Sequence, residues 1–236
     1  MIGDTNVRAM PVVAGTQIDT LEAGTLVKVN ENGAPVEYMI VNQGNPDPDM
    51  YDASCDGCWL LREDIAQNRK WDSTNNDYQN SDIQDYLNGD WGSRYEAGIL
   101  SQIKQVKIPY QNGTGYRGSV ASGANGLSCK IFLLGGYELG WTTSDYSYLP
   151  RDGAKLSYFS SGTSSSANNK RIANYNGAAS NWWLRSPTTS DTTRTWYVYS
   201  RGSCSGWGCA STYGVRPAFI LPSTALVDDN LNVISA

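Results

Sequence analysis

Two apolar blocks near the C-terminus most constrain the fold of this chain. The first is residues 181–187 (NWWLRSP) and the second is residues 213–221 (YGVRPAFIL). Both combine aromatic and aliphatic residues at the density typical of buried strands. The segment between them, residues 188–213, consists mostly of Thr, Ser, Gly, Tyr, Arg, Cys and Asp. Rigid strands that flank such a polar segment are typical of a protein that presents a variable surface to a partner.

The composition of the chain favours many short elements over long helices. The 236 residues include 24 Gly, 15 Tyr and 8 Trp but only 3 Phe, and 40% of them are hydrophobic. This length fits one large domain, or one domain with a small appendage, and it supplies enough apolar side chains for a core. Tyrosine and tryptophan also suit half-exposed binding surfaces, because each has an apolar body and a polar group.

The charge distribution argues against several classes of partner. The net charge is −5, and the charged residues are dispersed, so no basic stripe is present to neutralise phosphates. We therefore expect no nucleic-acid binding. No segment resembles a transmembrane helix, and residues 1–10 lack the features of a secretory signal. The expectation is a protein made in the cytoplasm that acts outside the cell only if released by lysis or carried on a particle.

Local patterns predict a mixed α+β order of short elements. Alternating residues on both sides of Asn32-Gly33 predict a β-hairpin over residues 25–41. Ser81 and Gln84 have the spacing of a helix capping box. The other predicted elements are helices at 62–70 and 95–103 and strands at 59–61, 106–109, 130–134, 182–185, 196–200 and 215–221.

The same patterns predict one domain with an N-terminal extension. Residues 1–17 are polar and are expected to form an arm or attachment segment, and residues 18–236 are expected to form a single domain. The stretches 111–128 and 141–180 are rich in small polar residues and are expected to be loops. Loops this long inside a domain are usually functional or held by packing.

Candidate metal ligands are few and have ordinary alternative explanations. Cys55 and Cys58 have the spacing of a zinc knuckle, and Cys204 with Cys209 forms a second, wider pair. Buried or idle thiols are the ordinary alternative. A cluster of acidic residues has the density of a calcium site but no EF-hand spacing, and turn formation next to proline is its ordinary explanation. That cluster consists of Asp47, Asp49, Asp52 and Asp56. We expect no cofactor.

The sequence offers little support for an enzyme. It contains no histidine, which removes the usual general base at neutral pH. A glycosidase needs two carboxylates that face each other across a cleft. Glu63, Glu96 and Glu138 are the candidates, and no motif surrounds any of them. The expectation is a protein without catalytic residues.

Several longer runs occur in a fixed order from residue 15 to the end of the chain. Together they resemble a family of proteins from gut Firmicutes and their prophages that carries WWLRSP and GVRPA. The runs that carry this resemblance are YDASCDGCWLL at 51–61, SGANGL at 122–127, DGAKLSY at 152–158, SANNKR at 166–171, WWLRSP at 182–187 and GVRPA at 214–218.

The resemblance implies a C-type-lectin-like fold with short helices, small antiparallel sheets and long ordered loops. The same fold is used by the variable proteins of diversity-generating retroelements, which rewrite adenines in a short C-terminal stretch of a gene. Many such proteins are receptor-binding proteins of phage tails or bacterial surfaces. The resemblance therefore implies a non-enzymatic receptor-binding protein whose ligand-display region is 182–221, with a protein or glycan receptor on a bacterial cell and a homotrimeric assembly.

The composition of residues 188–213 agrees with that origin. Mutation of both adenines in an Asn codon of the type AAY gives no Lys, Glu, Gln or Met, and the segment contains none of these four. Trp196 and Trp207 cannot arise by this route. Trp196 reads as framework, because alternation along the strand at 195–200 places Trp196 and Val198 on the core face. Tyr197 and Tyr199 are then predicted to face the ligand.

The predicted ligand face and scaffold follow from this alternation and from the resemblance. The scaffold residues are Trp182, Trp183, Arg185, Trp196 and Arg216, with both arginines expected to bond backbone carbonyls of long loops. The predicted ligand face comprises Thr188, Thr189, Asp191, Thr192, Thr193, Arg194, Tyr197, Tyr199, Arg201, Ser203, Cys204, Ser205, Trp207, Cys209, Ser211 and Tyr213.

Two alternatives stay open. A purely structural virion component would pack residues 188–213 against neighbouring subunits. A copper-dependent oxidase of the formylglycine-generating type, which shares the C-type-lectin-like fold, would use Cys204 and Cys209 as convergent thiolate ligands.

Overall fold

The computed structural model describes residues 15–235. These residues form eighteen strands, three α-helices and five one-turn 3-10 helices. Strands β1 to β18 are Thr16–Gln17, Leu26–Glu31, Ala34–Gln43, Cys58–Arg62, Gln67–Lys70, Val106–Ile108, Tyr110–Asn112, Ser119–Ala121, Leu127–Cys129, Ile131–Phe132, Ala173–Tyr175, Ala178–Ser180, Trp182–Pro187, Arg194–Val198, Cys204–Gly208, Thr212–Val215, Ala218–Leu221 and Leu226–Val227. Helices α1 to α3 are Asp82–Asn88, Ala97–Gln102 and Ser165–Asn169. The 3-10 helices are Ile18–Thr20, Ala53–Cys55, Tyr78–Asn80, Asp90–Arg94 and Gly115–Arg117.

The predicted N-terminal arm at 1–17 lies outside the described residues except at its end. Strand β1 there pairs antiparallel with β18, so residues 16 and 17 belong to the folded unit. Among residues 15–235, no helix combines the length and the apolarity that crossing a membrane would require. The architecture is a mostly β, mixed α+β fold built from small sheets, as the sequence predicts at this level.

The first of two five-stranded sheets has the order β10-β17-β4-β3-β2 and is antiparallel throughout. Its β2–β3 hairpin is the one predicted from the sequence. Asn32 (φ 54°) and Gly33 (φ 79°) form the two-residue turn, and both occupy the left-handed region that such turns require. This sheet forms one side of the hydrophobic core.

The second five-stranded sheet has the order β15-β14-β13-β16-β5. Its strands are antiparallel except β13 and β16, which run parallel with Trp182 opposite Gly214. The second apolar block of the sequence is divided between the two sheets, because β16 belongs to the second and β17 to the first. The division falls at Pro217, whose missing N–H cannot continue a ladder.

A tryptophan-rich core lies between these elements. Six of the eight tryptophans are completely buried: Trp59, Trp71, Trp91, Trp141, Trp182 and Trp183. Several indole N–H groups bond backbone carbonyls at distant points of the chain. The Trp71 Nε1 donates to Leu184 O at 2.9 Å, and the Trp183 Nε1 donates to Arg69 O at 2.9 Å. Five of the six buried indole N–H groups have a hydrogen-bond partner, and the Trp141 Nε1 has none among the described residues.

The helices are short and one predicted helix is absent. Ser81 caps α1 as expected, with its Oγ accepting from the Gln84 N–H at 3.3 Å. The prediction of a helix at 62–70 is wrong, because Gln67–Lys70 pairs with β16 as an edge strand. Pairing with a distant strand overrides the weak local preference of this polar stretch.

The long loop between β10 and α3 is held by a buried arginine. Arg171 donates to the carbonyl oxygens of Leu139 (2.8 Å), Gly162 (3.0 Å) and Ser160 (2.5 Å). Its guanidinium also lies over the Trp141 ring at 4.2 Å. One side chain thus supplies the hydrogen bonds that regular structure would otherwise provide.

Candidate ligand-binding face

The candidate site is residues 188–213, which contain the β14–β15 hairpin and the loops on both sides of it. Strand β15 is an edge of the second sheet, with Tyr197 opposite Ser205 and Thr195 opposite Trp207. Neighbouring β13 is buried along its whole length. The sheet therefore supports the segment from one side, and the hairpin reaches the surface at its outer strand.

The loop before the hairpin is fastened by a residue far away in sequence. The buried Asn76 donates its Nδ2 hydrogens towards the carbonyl oxygens of Asp191 (3.0 Å) and Arg194 (2.5 Å). Its backbone N–H donates to Thr192 O at 2.9 Å. Three carbonyls of one loop are thus bonded by a single residue, which holds the backbone while leaving the side chains free.

A second contact fastens the same loop. Gly115 lies so close to it that a Cβ there would meet Asp191 O at 1.9 Å. The Asp191 Oδ1 accepts from the Thr193 N–H (2.6 Å) and from its hydroxyl (2.7 Å). These bonds to Thr193 lower the pKa of Asp191. The loop is therefore an ordered turn with a charged group at its tip.

The turn between β14 and β15 is equally constrained. The Tyr199 N–H donates to Ser203 O and the Gly202 N–H donates to Tyr199 O, both at 2.7 Å. The Asn181 Oδ1 accepts from the Ser200 N–H at 2.9 Å. Gly202 has a φ of 80°, and a Cβ there would lie 2.0 Å from Asn168 O. Only glycine combines this backbone conformation with so close an approach.

The end of the hairpin is bonded back to the core. The Cys209 N–H donates to Thr193 O at 2.8 Å, and the Cys209 carbonyl accepts from the Trp71 N–H at 3.0 Å and the Asp72 N–H at 3.2 Å. Each of the three turns in residues 188–213 is therefore anchored by a residue outside the segment.

Most of the predicted face residues lie at the surface. Tyr199 is 40% exposed and Trp207 is 52% exposed. Thr193, Arg194 and Arg201 are also exposed. The half-exposed members of the predicted face are Thr189, Asp191, Thr192, Ser203, Ser205, Ser211 and Tyr213.

Four residues of the predicted face are buried, and the expectation that they face solvent is wrong. They are Thr188, Tyr197, Cys204 and Cys209. Tyr197, only 7% exposed, has ring centroids of Trp183 at 6.0 Å and Tyr213 at 4.6 Å. Alternation identified the correct side of the strand, but an aromatic cluster covers that side at Tyr197. The next residue on this side, Tyr199, lies beyond the cluster.

The predicted scaffold residues are all buried. The Arg216 Nε donates to Arg62 O at 2.7 Å, and its Nη2 lies 3.3 Å from Glu63 Oε2. The Arg185 Nε donates to Pro109 O at 2.9 Å and its Nη1 to Leu133 O at 3.0 Å. Arg185 therefore bonds loop carbonyls as predicted. The prediction is wrong for Arg216, which bonds the carbonyl of the last residue of β4 and pairs with Glu63.

Arg185 also belongs to a buried ionic cluster that the sequence did not reveal. It forms a two-pronged pair with Glu138 at 2.6 and 2.7 Å, and the Ser186 hydroxyl donates to Asp152 at 2.8 Å. The Tyr51 hydroxyl donates to Glu138 at 2.7 Å. Glu138 is therefore an internal partner of Arg185 and lines no cleft of the kind a glycosidase requires.

Burial and charge act in opposite directions within this cluster. Burial raises the pKa of Asp152 to about 6, although the Arg185 charge opposes the change. Burial alone would lower the pKa of Arg185, but Glu138 and Asp152 hold it above its ordinary value. Arg185 offsets the effect of burial on Asp152 only in part, because the Asp152 carboxylate lies 3.9 Å from the Arg185 Nε whereas Glu138 forms the close pair.

Two exposed aromatic residues beside the face carried no sequence signal. Tyr116 (62% exposed) follows Gly115, which lies against Asp191. Tyr148 (56% exposed) accepts at its carbonyl from the Thr189 N–H at 2.9 Å. Both come from loops that sequence patterns cannot place in space. Both lie beside the loop that contains Thr189 and Asp191.

The two cysteine pairs do not converge. Cys58 lies in β4 of the first sheet and Cys204 in β15 of the second. Cys204–Gly208 is extended, and at about 3.3 Å per residue it places Cys209 more than about 12 Å from Cys204, too far to share one ion. Among the described residues the four cysteines therefore form no zinc site, and the extended strand separates the two thiols that the copper alternative would bring together. Burial raises the pKa of Cys55 and Cys58 to about 12, so these thiols stay protonated.

The acidic cluster near residue 50 forms turns. The Asp47 Oδ1 accepts from the Asp49 N–H at 3.1 Å, and the Asp52 Oδ1 accepts from the Ser54 N–H at 2.9 Å. In the part of the chain that the structure describes, no three His, Cys, Asp or Glu side chains are grouped as a metal site.

The sequence of this chain matches a known protein family. Residues 56–223, more than half of the chain, match the family described as Domain of unknown function (DUF6273). Searches of curated proteins and of solved structures found no match. The matched region contains both apolar blocks, the arginines Arg185 and Arg216 and the whole of residues 188–213. This chain belongs to the DUF6273 family.

Proposed function

We propose that this protein is a non-enzymatic recognition protein with a C-type-lectin-like fold that binds its ligand through the exposed side chains of residues 188–213. One observation carries the proposal: the backbone of this segment is hydrogen-bonded by residues outside it, whereas most of its side chains are exposed or half-exposed. Backbone anchoring separates the stability of the fold from the identity of the displayed residues.

The chemistry of the exposed side chains supports binding. Tyr199 and Trp207 offer large rigid surfaces, and Arg194 and Arg201 offer charge. Small hydroxyl residues such as Ser203 stand between them. Tyr, Trp and Arg are the residues most often responsible for binding energy at protein surfaces, and serine adapts its hydrogen bonds to different partners.

The proposed setting is a phage tail or a bacterial surface, and the proposed source of variation is a diversity-generating retroelement. The support is the resemblance of the ordered motifs to prophage proteins and the absence of Lys, Glu, Gln and Met from residues 188–213. The ligand is then a receptor on a bacterial cell. Assembly as a homo-oligomer, with a trimer as the expected form, would raise avidity for such a receptor.

A saturation library tests the proposal. Eight exposed or half-exposed positions are randomised together on a cell-surface display system, and the fraction of folded clones is measured by resistance to protease. These positions are Thr192, Thr193, Arg194, Tyr199, Arg201, Ser203, Ser205 and Trp207. We expect most clones to fold, because surface substitutions usually change stability by less than about 0.5 kcal/mol.

A matched control library randomises the buried positions Thr188, Tyr197, Cys204 and Cys209, and most of its clones should unfold. Equal losses in the two libraries would contradict the proposal. A near-copy of the 3′ end of the gene that differs only at adenines, beside a reverse transcriptase gene, is the expected genomic observation.

The structural alternative also has an observation in its favour. The exposed rings of Tyr116, Tyr148 and Trp207 would suit packing between subunits as well as ligand contact. The two functions differ in what these three rings contact, which is a neighbouring subunit in one case and the ligand in the other. Analytical ultracentrifugation compares the wild type with a variant in which Tyr116, Tyr148 and Trp207 are all replaced by alanine. If the wild type is an oligomer and the variant is not, these three residues form contacts between subunits.

A further inference from the structure

A polar depression adjoins the candidate face at one end of the second sheet. Its volume is about 320 Å³, and it lies between β5, β12, β16 and the turn after β14. Its lining includes Asn68, Ser180, Asn181, Tyr199, Thr212 and Tyr213. It is large enough for one small organic group and too small for a folded partner.

The lining has an unusual chemical composition. It contains two tyrosine rings, amides and hydroxyls, and no Lys, Arg, Asp or Glu side chain. The neighbouring cation Arg69 is turned away, with its guanidinium 3.8 Å from the Tyr86 ring centre and lining a different cavity. A ligand in this depression therefore meets uncharged hydrogen-bonding groups and aromatic faces.

Several of these groups are free to bind a ligand. The side chains of Asn68, Tyr199 and Thr212 are exposed, and none of them forms a side-chain hydrogen bond within residues 15–235. Asn181, in contrast, is oriented by its bond from the Ser200 N–H. Burial raises the pKa of Tyr213, so its hydroxyl stays protonated at neutral pH. The depression thus offers both donors and acceptors, among which Asn181 is held in a fixed orientation.

We propose that this depression binds a neutral pyranose sugar, and this inference rests on the proposed recognition function. The exposed ring of Tyr199 provides an apolar face for the C–H face of the sugar, and the amide of Asn68 and the hydroxyls of Thr212 and Tyr213 bond its hydroxyl groups. Neutral sugars are preferred over acidic ones, because the lining side chains include no cation to pair with a carboxylate.

The depression is lined partly by residues of the segment 188–213, which we propose to be variable. Asn68, Ser180 and Asn181 come from the frame, whereas Tyr199, Thr212 and Tyr213 belong to residues 188–213. Frame residues would bind features common to many sugars, and the variable residues would select among them. Changes in residues 188–213 would then alter sugar preference and leave the general class of ligand unchanged.

The test uses saturation-transfer NMR and calorimetry on the full chain with the methyl glycosides of glucose, galactose, mannose and N-acetylglucosamine. Glucuronic acid and N-acetylneuraminic acid are the charged controls. We expect at least one neutral sugar to bind with a Kd of about 1 mM, as is typical of a small ligand with few contacts. Asn68→Ala and Tyr199→Ala should each raise the Kd for that sugar at least about tenfold.

Asn169→Ala is the matched control, because Asn169 is an exposed amide outside the depression. It should leave the Kd unchanged, and thermal melting should show that all three variants stay folded. The proposal is overturned if no neutral sugar binds, if the acidic sugars bind equally well, or if binding survives both Asn68→Ala and Tyr199→Ala. None of these outcomes affects the folding libraries at 188–213, which test the proposed function separately.

Discussion

Two tyrosines on one side of a single chain segment have different roles. Tyr197 completes an aromatic cluster with Trp183 and Tyr213, whereas Tyr199 lies two residues further, past the end of β14, and is 40% exposed. Alternation predicts that both point the same way but not what covers them. Neighbours from β13 and β16 cover the Tyr197 ring, whereas the Tyr199 ring is exposed at the candidate face.

This difference in burial predicts that alanine substitution destabilises the protein at Tyr197 but has little effect at Tyr199. Tyr197→Ala should lower the free energy of unfolding by about 3 kcal/mol, because it removes a buried ring and leaves a cavity. Tyr199→Ala should change it by less than about 0.5 kcal/mol. Urea denaturation followed by tryptophan fluorescence measures both. Similar losses for the two variants would show that Tyr199 is part of the core.

Two glycines in turns of this protein differ in the atoms that surround them. Gly202 (φ 80°) and Gly162 (φ 78°) have nearly the same backbone conformation. A Cβ at Gly202 would collide with Asn168 O, whereas a Cβ at Gly162 would meet nothing within 4 Å.

Gly162→Ala should therefore cost about 1 kcal/mol from backbone strain alone. Gly202→Ala should cost clearly more, because the turn must also move away from Asn168. Thermal unfolding of the two variants under identical conditions gives the comparison. Equal costs would mean that the turn at Gly202 relaxes freely, which would contradict a held backbone in this part of the candidate face.

At the scale of elements, the loop at 188–194 is ordered by a residue outside it. Asn76 bonds the carbonyls of Asp191 and Arg194 from a position more than a hundred residues earlier in the chain. Such an anchor carries no recognisable motif, since an isolated asparagine in a polar stretch resembles an ordinary turn residue. The edge strand Gln67–Lys70 also depends on a distant segment, because it forms by pairing with β16.

Removal of the anchor should loosen the loop. Asn76→Ala leaves the Asp191 and Arg194 carbonyls without this partner, and the expected loss of stability is about 1–3 kcal/mol. Hydrogen exchange should accelerate at the Thr188 and Cys209 amides, which bond to Arg194 O and Thr193 O. Asn80→Ala, which removes an exposed amide, is the control and should change neither quantity. Unchanged exchange in Asn76→Ala would show that the sheet alone orders the loop.

At the scale of the whole molecule, one buried cluster joins distant parts of the chain. Arg185 on β13 bonds Pro109, Leu133, Glu138 and the Asp152 carbonyl, so it connects the second sheet with the long loop that follows β10. Removal of one member of such a cluster is expected to cost about 3–5 kcal/mol, because a buried charge is left unpaired.

The cluster predicts a specific pH dependence. Burial raises the pKa of Asp152 to about 6, above the ordinary value of 3.8, so between these values the folded protein holds a proton that the unfolded chain releases. The contribution of Asp152 to stability is therefore fully present below pH 3.8 and is lost as the pH rises through 6.

Asp152→Asn removes this titration and leaves the other carboxylates in place. Relative to wild type, the variant should be most favoured at pH 7 and least favoured at pH 4, as measured by urea denaturation across that range. A stability difference that does not vary with pH would contradict the raised pKa. A difference of the opposite slope would show that Arg185 holds the pKa of Asp152 low.

Local and apolar features of this protein were predictable from its sequence. The Asn32-Gly33 hairpin, the Ser81 cap and the burial of the two C-terminal blocks follow from turn geometry, capping and hydrophobicity, which act between near neighbours. The general position of the candidate face also follows, because a polar segment between two buried strands must reach the surface.

Only the tertiary structure decided which side chains that face contains. The burial of Tyr197, the anchoring by Asn76, the Arg185–Glu138 pair and the contributions of Tyr116 and Tyr148 all depend on contacts between segments far apart in the chain. Sequence patterns report the preference of a residue for water or for a local conformation. They do not report which distant segment will cover it, because that is set by how the sheets and loops pack together.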